Sequence, residues 1–305
     1  KDGVDLPGAT NATLKISYLC ANDAGAYEVV VCNVAGCVTS EPAATLTITT
    51  PVPLTEGLTG YWNFDETSGA MAVDSSGSGN DGQLMNFPVD GSQWVPGQVG
   101  GALNFRGPAA LEWVLVSDYP KPTDQMTVAL WVWANSRPTW ASFVKNWGSS
   151  SSGQFHFGLN AGDGDISNYL VQQGGTTAGP VREGASNPFP LGSWQHVAFV
   201  CDGTRMRVYR NSVEIGSVAY DGTIRPDPMM TSLSIGCKTD NTGLVPDPAS
   251  PGYWDGKMDE VAIWSRGLSA NEIGTLYAAG LQGRALDAAA AAPQQIGRAS
   301  CRERV

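Results

Sequence analysis

The chain has 305 residues with 37 Gly, 19 Pro, only 15% charged residues and a formal net charge of −11. That length exceeds one ordinary domain and admits a β-domain of roughly 200 to 250 residues plus a smaller piece, and the turn-rich, charge-poor composition suits many short strands more than long solvated helices. Eighteen Lys and Arg against 29 Asp and Glu argue against a polyanion-binding surface, so nucleic acid is not an expected partner. Membrane insertion is not expected of this segment either.

The chain opens at Lys1 without Met or a charged-then-apolar targeting stretch, so a signal peptide is expected upstream and the protein is expected to be secreted or at the cell surface. Ala12 to Leu19 alternates as a half-buried strand should, with Leu14, Ile16 and Tyr18 on one face. Tyr27 to Cys32 and Cys37 to Ser40 flank the turn residues Asn33 to Gly36, and Ala44 to Thr49 supplies a further strand. Cys32 and Cys37 then face each other across a hairpin, where either a disulfide or two free thiols fits the spacing. Asp23-Ala-Gly-Ala-Tyr27 resembles the tyrosine corner of immunoglobulin-like domains, although Val29 stands where that family usually has its core cysteine. The resemblance implies a partial immunoglobulin-like β-sandwich over residues 1–50, too short to be stable by itself.

Residues 51–56 read as a linker whose prolines favour an extended spacer. From Leu58 onward strands succeed one another. Leu58, Gly60, Trp62 and Phe64 share a face by the period of two, and Leu103 with Phe105 repeats the pattern. Met126 to Trp133 is apolar on both faces, as a central strand is. Trp194 to Cys201, the turn Asp202-Gly203 and Met206 to Tyr209 form the strongest hairpin signal, and Ser232 to Gly236 and Met258 to Trp264 complete the sheets. Ser269-Ala-Asn-Glu272 is a capping box for a helix whose stripe is Ile273, Leu276 and Tyr277, which Gly280 can end and which should pack at the sandwich edge.

The segments Gly60 to Asp65, Asp74 to Gly77, Gly100 to Phe105, Thr127 to Trp131, Trp194 to Ala198, Ser234 to Gly236 and Asp259-Glu-Val261 with Leu268-Ser269, in that order, resemble the laminin G-like, concanavalin A-like domains. The resemblance spans about residues 57 to 281, giving a jelly-roll domain at 57–285. It implies an all-β, concanavalin A-like jelly-roll sandwich that binds rather than catalyses. Residues 286–305 form a low-complexity stretch followed by a segment, Ile296 to Val305, that resembles a sequencing adapter read in frame.

The loop from Asp65 to Gly82 is rich in oxygen donors of the kind Ca²⁺ takes, and equally like an ordinary solvated turn. Similar jelly rolls often hold a structural Ca²⁺ between first and last strands, and the resemblance implies Asp74, Asn80 and Asp259 as its ligands. A zinc site is unsupported with only His156 and His196 and no paired cysteine spacing. Gly77 to Gly82 matches the dinucleotide fingerprint only formally, since no strand and helix flank it. Paired carboxylates along one strand are absent, Asp259 and Glu260 should point to opposite faces, His196 reads as a structural histidine and there is no Gly-x-Ser-x-Gly elbow. Of ten Trp, Trp140, Trp147 and Trp254 lie near Gly, Ser and Pro and are the expected ligand contacts, with packing beneath the loops as the alternative. The expected function is a non-catalytic module for a glycan or glycoprotein partner in a larger multi-domain surface protein. A structural spacer, or an accessory module of an enzyme whose catalytic domain lies elsewhere, are the alternatives.

Overall fold

The computed structural model describes residues 1–16, 21–47, 52–148, 152–184 and 186–286. Two compact units result, one ending at Pro53 and one starting at Leu54.

In the first unit the strands β1 (Gly25–Tyr27), β2 (Val30–Asn33), β3 (Gly36–Thr39) and β4 (Ala44–Leu46) form two separate two-stranded sheets, β1 with β4 and β2 with β3. Cys32 pairs with Cys37 across the hairpin and the two are joined by a disulfide. Tyr27 donates its hydroxyl to the Asp23 carbonyl at 2.6 Å. Every residue of β2 and β3 is exposed. The expected strand from Ala12 is not formed as far as Ile16, where Leu14 is exposed, and Ser17 to Leu19 lie outside the described residues. The adapter-like tail from Ile296 also lies outside them.

The second unit contains β5 (Leu58–Trp62), β6 (Met71–Ala72), β7 (Gly82–Met85), β8 (Trp94–Pro96), β9 (Gly101–Arg106), β10 (Trp113–Val116), β11 (Met126–Ala134) and β12 (Ser142–Trp147). It continues with β13 (Gly153–Leu159), β14 (Ile166–Val171), β15 (Thr177–Arg182), β16 (Trp194–Cys201), β17 (Arg205–Arg210), β18 (Val213–Ala219), β19 (Leu233–Ile235), β20 (Asp255–Trp264) and the helix α1 (Ala270–Leu281). One sheet runs β15-β14-β13-β12-β19-β10-β7-β6; the other runs β18-β17-β16-β11-β20-β9-β8, with β5 also on β20. All these pairs are antiparallel, and the main core fills the space between the sheets with residues such as Phe143, Phe155, Phe157, Phe199, Trp62 and Trp254. This is the expected jelly-roll sandwich, with β11 central and the opening strand β5 paired to the closing strand β20.

Local departures from strict alternation have visible causes. Leu58 packs on the outer side, away from Trp62 and Phe64, because the β5–β20 register shifts between Ile263 and Trp264. Asp259 and Glu260 do not point to opposite faces. The β11–β20 register also shifts, between Ala129 and Trp131, so that Glu260 is the extra residue of a β-bulge with φ +53°. Asp259 pairs with Trp131, and Glu260 lines the same small cavity as Trp131, so both carboxylates belong to the outer face.

Helix α1 lies over that outer face rather than at the sandwich edge. Ala129 pairs with Ala198 on one side and Ala262 on the other, and this row of small side chains leaves room for Ile273, Leu276 and Ala279. Its capping box is formed, with Ser269 Oγ accepting from the Glu272 amide and Glu272 returning the bond to the Ser269 amide. Gly280 does not end the helix. A Cβ there would stand 2.3 Å from Trp131 Nε1, so the glycine admits the indole, which stacks on Tyr277 at 5.6 Å. No helix among the described residues is long and apolar enough to cross a membrane.

Candidate functional site

The outer face of the β12–β13–β14 region gathers the aromatic and polar groups best suited to a ligand. On β13 the side chains alternate, Phe155, Phe157 and Leu159 entering the core while Gln154 and His156 take the other side. Register places His156 opposite Lys145 on β12 and Tyr169 on β14, and Lys145 opposite Ser234 on β19, a row across four strands.

Around His156 stand three half-buried rings. Trp140 and Trp147 meet it nearly edge-on with centroids at 5.8 and 5.9 Å, and Tyr169 at 5.6 Å. Trp147 and Tyr169 also contact each other at 5.9 Å. The backbone holding Trp140 is constrained: its φ is +57°, an uncommon value for a side-chain-bearing residue, and its carbonyl accepts from Lys145 Nζ at 3.0 Å. Gly252 passes beneath that carbonyl, where a Cβ would come within 2.1 Å.

The floor under the rings is polar and incompletely paired. His156 Nδ1 lies 3.2 Å from the Ser167 carbonyl, which can only accept, so this nitrogen carries the proton and Nε2 keeps a lone pair. Burial, reinforced by Lys145, holds the imidazole well below its usual pKa and therefore neutral. His156 Nε2, Ser142 Oγ and Ser167 Oγ are buried without a hydrogen-bond partner among the described residues. Ser142 and Ser167 pair with Gly158 from either side, on the His156 face. Lys145 is fully buried, and burial followed by Lys238 lowers its pKa well below the usual lysine value. These three atoms make the layer beneath the half-buried rings polar rather than apolar. The nearby carboxylates are otherwise engaged. Burial works to raise Asp165, but Arg182 at 2.7 Å prevails and keeps it ionised, and the same guanidinium holds Asp163.

Trp140 and Trp147 are thus brought together. Trp254 is not: it is fully buried in the core, 5.1 Å from Phe143 and 6.4 Å from Phe189, because the Pro and Gly beside it carry the chain back between the sheets. His156 and Tyr169 were missed as site residues. The alternation Gln-Phe-His-Phe-Gly-Leu from 154 to 159 was the signal that could have found His156.

The expected calcium ligands do not converge into one donor set. Asp74 Oδ1 accepts from the Tyr61 and Ser76 amides at 2.9 Å and Oδ2 from the Asn80 amide at 2.8 Å. Burial works to raise its pKa, yet these bonds prevail and lower it. The Asn80 side-chain amide donates to the Thr59 carbonyl at 2.6 Å, so this pair closes a turn. Asp259 faces a different segment, accepting from the Val99 amide at 2.8 Å while its Oδ1 has no hydrogen-bond partner among the described residues. Burial pushes its pKa up to about 9. Among the described residues no three His, Cys, Asp or Glu side chains are grouped to hold a metal.

The cavity under α1, lined by Trp131, His196, Glu260 and Arg284, is too small for a sugar ring. His196 is buried there with Nδ1 unpaired, and burial drives its pKa down to about 3.

With fold and site in hand, the chain is placed among known proteins. The family model of the Concanavalin A-like lectin/glucanases superfamily (Laminin_G_3) matches residues 111–274, and the chain belongs to that family. Domain 4 of AbnA, a GH43 extracellular arabinanase from Geobacillus stearothermophilus solved with arabinotriose, is similar at TM-score 0.53 and 21% identity, over 72% of this chain and 98% of that domain. The ligand-binding domain of botulinum neurotoxin serotype D, in complex with N-acetylneuraminic acid, is similar at TM-score 0.48 and 12% identity, over 73% of this chain. This chain covers 51% of that toxin domain. No curated protein matches the chain.

Proposed function

We propose that the jelly roll is a non-catalytic, glycan-binding module of a secreted or surface multi-domain protein, contacting its ligand through Trp140, Trp147 and Tyr169, the rings around His156. The observation that carries this is the cluster of three half-buried rings, Trp140, Trp147 and Tyr169, gathered around His156 on one sheet face. Indole and phenol faces suit the C–H faces of sugars. The arabinanase domain was solved with arabinotriose and the neurotoxin domain with a sialic acid, so these two glycans head the panel to be tried. The likeness to a domain of an extracellular glycosidase also favours, among the alternatives, an accessory role beside a catalytic domain over a plain spacer. Tryptophan fluorescence titration tests the reading: a sugar that quenches the wild type should lose about tenfold in affinity with Trp140→Ala or Trp147→Ala. Quenching that survives both substitutions rejects this face, and a panel without any quenching supports the spacer.

A further inference from the structure

The opposite sheet carries a second aromatic surface, independent of the first. Trp194 on β16 pairs with Trp133 on β11, Trp133 with Lys257 on β20, and Lys257 with Asn104 on β9. All four side chains are on the outer face and none is fully buried. The next row on that face, His196, Trp131 and Asp259, meets α1 through the stack of Trp131 on Tyr277. The Trp194–Trp133–Lys257 row lies one pleat further from the alanine row that seats α1, on three central strands.

Lys257 holds its ammonium 4.7 Å from the Trp133 ring centroid and 5.6 Å from that of Trp194, while the two indoles meet at 6.0 Å with their planes 70° apart. Lys257 forms no ion pair with the described residues, although the chain carries an excess of acidic groups. The ring contacts pin its cation between two flat apolar walls, with the outward side of the ammonium left to solvent or a ligand. The charge and shape complement of that arrangement is a sugar ring bearing a carboxylate: its C–H face lies on an indole and its carboxylate takes the charged hydrogen bond from Nζ.

We propose that Trp133, Trp194 and Lys257 form a second glycan-contact site, on the face opposite to Trp140 and Trp147, selective for an acidic oligosaccharide of the uronic acid class. A module with a contact surface on each sheet can bridge two chains of one polysaccharide, which raises avidity without any new contact.

The test uses the full chain, with galacturonic acid trimer and the neutral galactotriose as paired probes, read by fluorescence quenching and calorimetry. The acidic trimer is expected to bind at least tenfold more tightly than the neutral one. Lys257→Gln should erase that preference, and Trp133→Phe should weaken binding of the acidic trimer severalfold. Melting curves of Lys257→Gln and Trp133→Phe matching the wild type confirm that these variants are folded. Equal affinity for the two probes, insensitivity to Lys257→Gln, or no binding of the acidic trimer each overturns the second site. Because the two faces are probed by different substitutions, failure here is separable from failure of the Trp140–Trp147 site.

Discussion

Burial decides how the ionisable residues of this protein respond to pH. Asp259 is fully buried and its pKa is pushed up to about 9 by desolvation, with the Glu260 charge adding to it against the amide of Val99. The folded state therefore holds a proton that the unfolded state gives up near pH 4, so stability falls as pH rises between about 4 and about 9. Asp259→Asn removes this cost, and thermal melting at pH 8 should show a higher Tm than wild type, with the difference vanishing near pH 4. A lower Tm at pH 8, together with a chelator effect present only in the wild type, would mean that the carboxylate serves a cation after all. His156 and His196 act with the opposite sign. Both pKa values are lowered by burial, so the unfolded chain gains protons below about pH 6.5 that the native state refuses, and their contribution is lost as the solution is acidified. Replacing His196 with Asn should flatten the acid limb of the stability curve measured by urea titration.

Among the elements, α1 offers the cleanest contest between local propensity and packing. Gly280→Ala improves helix propensity by about 1 kcal/mol, but its Cβ would stand 2.3 Å from Trp131 Nε1 and displace a ring stacked on Tyr277. Overpacking of this kind costs about 1–3 kcal/mol, so denaturant titration should find the variant less stable than wild type; a gain would show that Trp131 is free to move. The helix itself was readable, because its capping box is a local four-residue signal. Its seat was not, because the alanine row under it comes from residues 129, 198 and 262, far apart in sequence and aligned only by strand pairing. The same distinction separates the aromatic residues. A Trp in a strand pattern reads as core, and Trp62 and Trp264 are, yet Trp133 and Trp194 stand half-buried on the outer face, where strand alternation from Trp131 and His196 places them. Trp254 was expected on a loop and is interior, since a Gly- and Pro-flanked segment can dive between sheets as readily as leave them. The bulge at Glu260 left no mark in the sequence, as no Gly announces it.

Taken together, the two sheets and α1 make the unit from Leu54 onward a self-contained body. Its order of motifs was legible because paired first and last strands carry long, distinctive apolar patterns, whereas the aromatic site was half legible, in Trp140 and Trp147 alone. Leu54 is buried and its carbonyl accepts from Trp264 Nε1 at 2.7 Å, so the spacer-like segment contributes to the fold. A fragment starting at Val52 should melt at the temperature of the full chain's main transition, and one starting at Gly57 should melt several degrees lower; equal melting of the two would remove Leu54 from the core.

The ring cluster around His156 is the feature on which the glycan-binding account rests, and the side-chain ¹⁵N resonances of the two histidines report on it directly. As a quenching sugar is titrated in, the His156 signals should shift with the rings that enclose it while His196, buried on the other sheet, stays still. A titration that saturates with His156 unmoved would contradict the account.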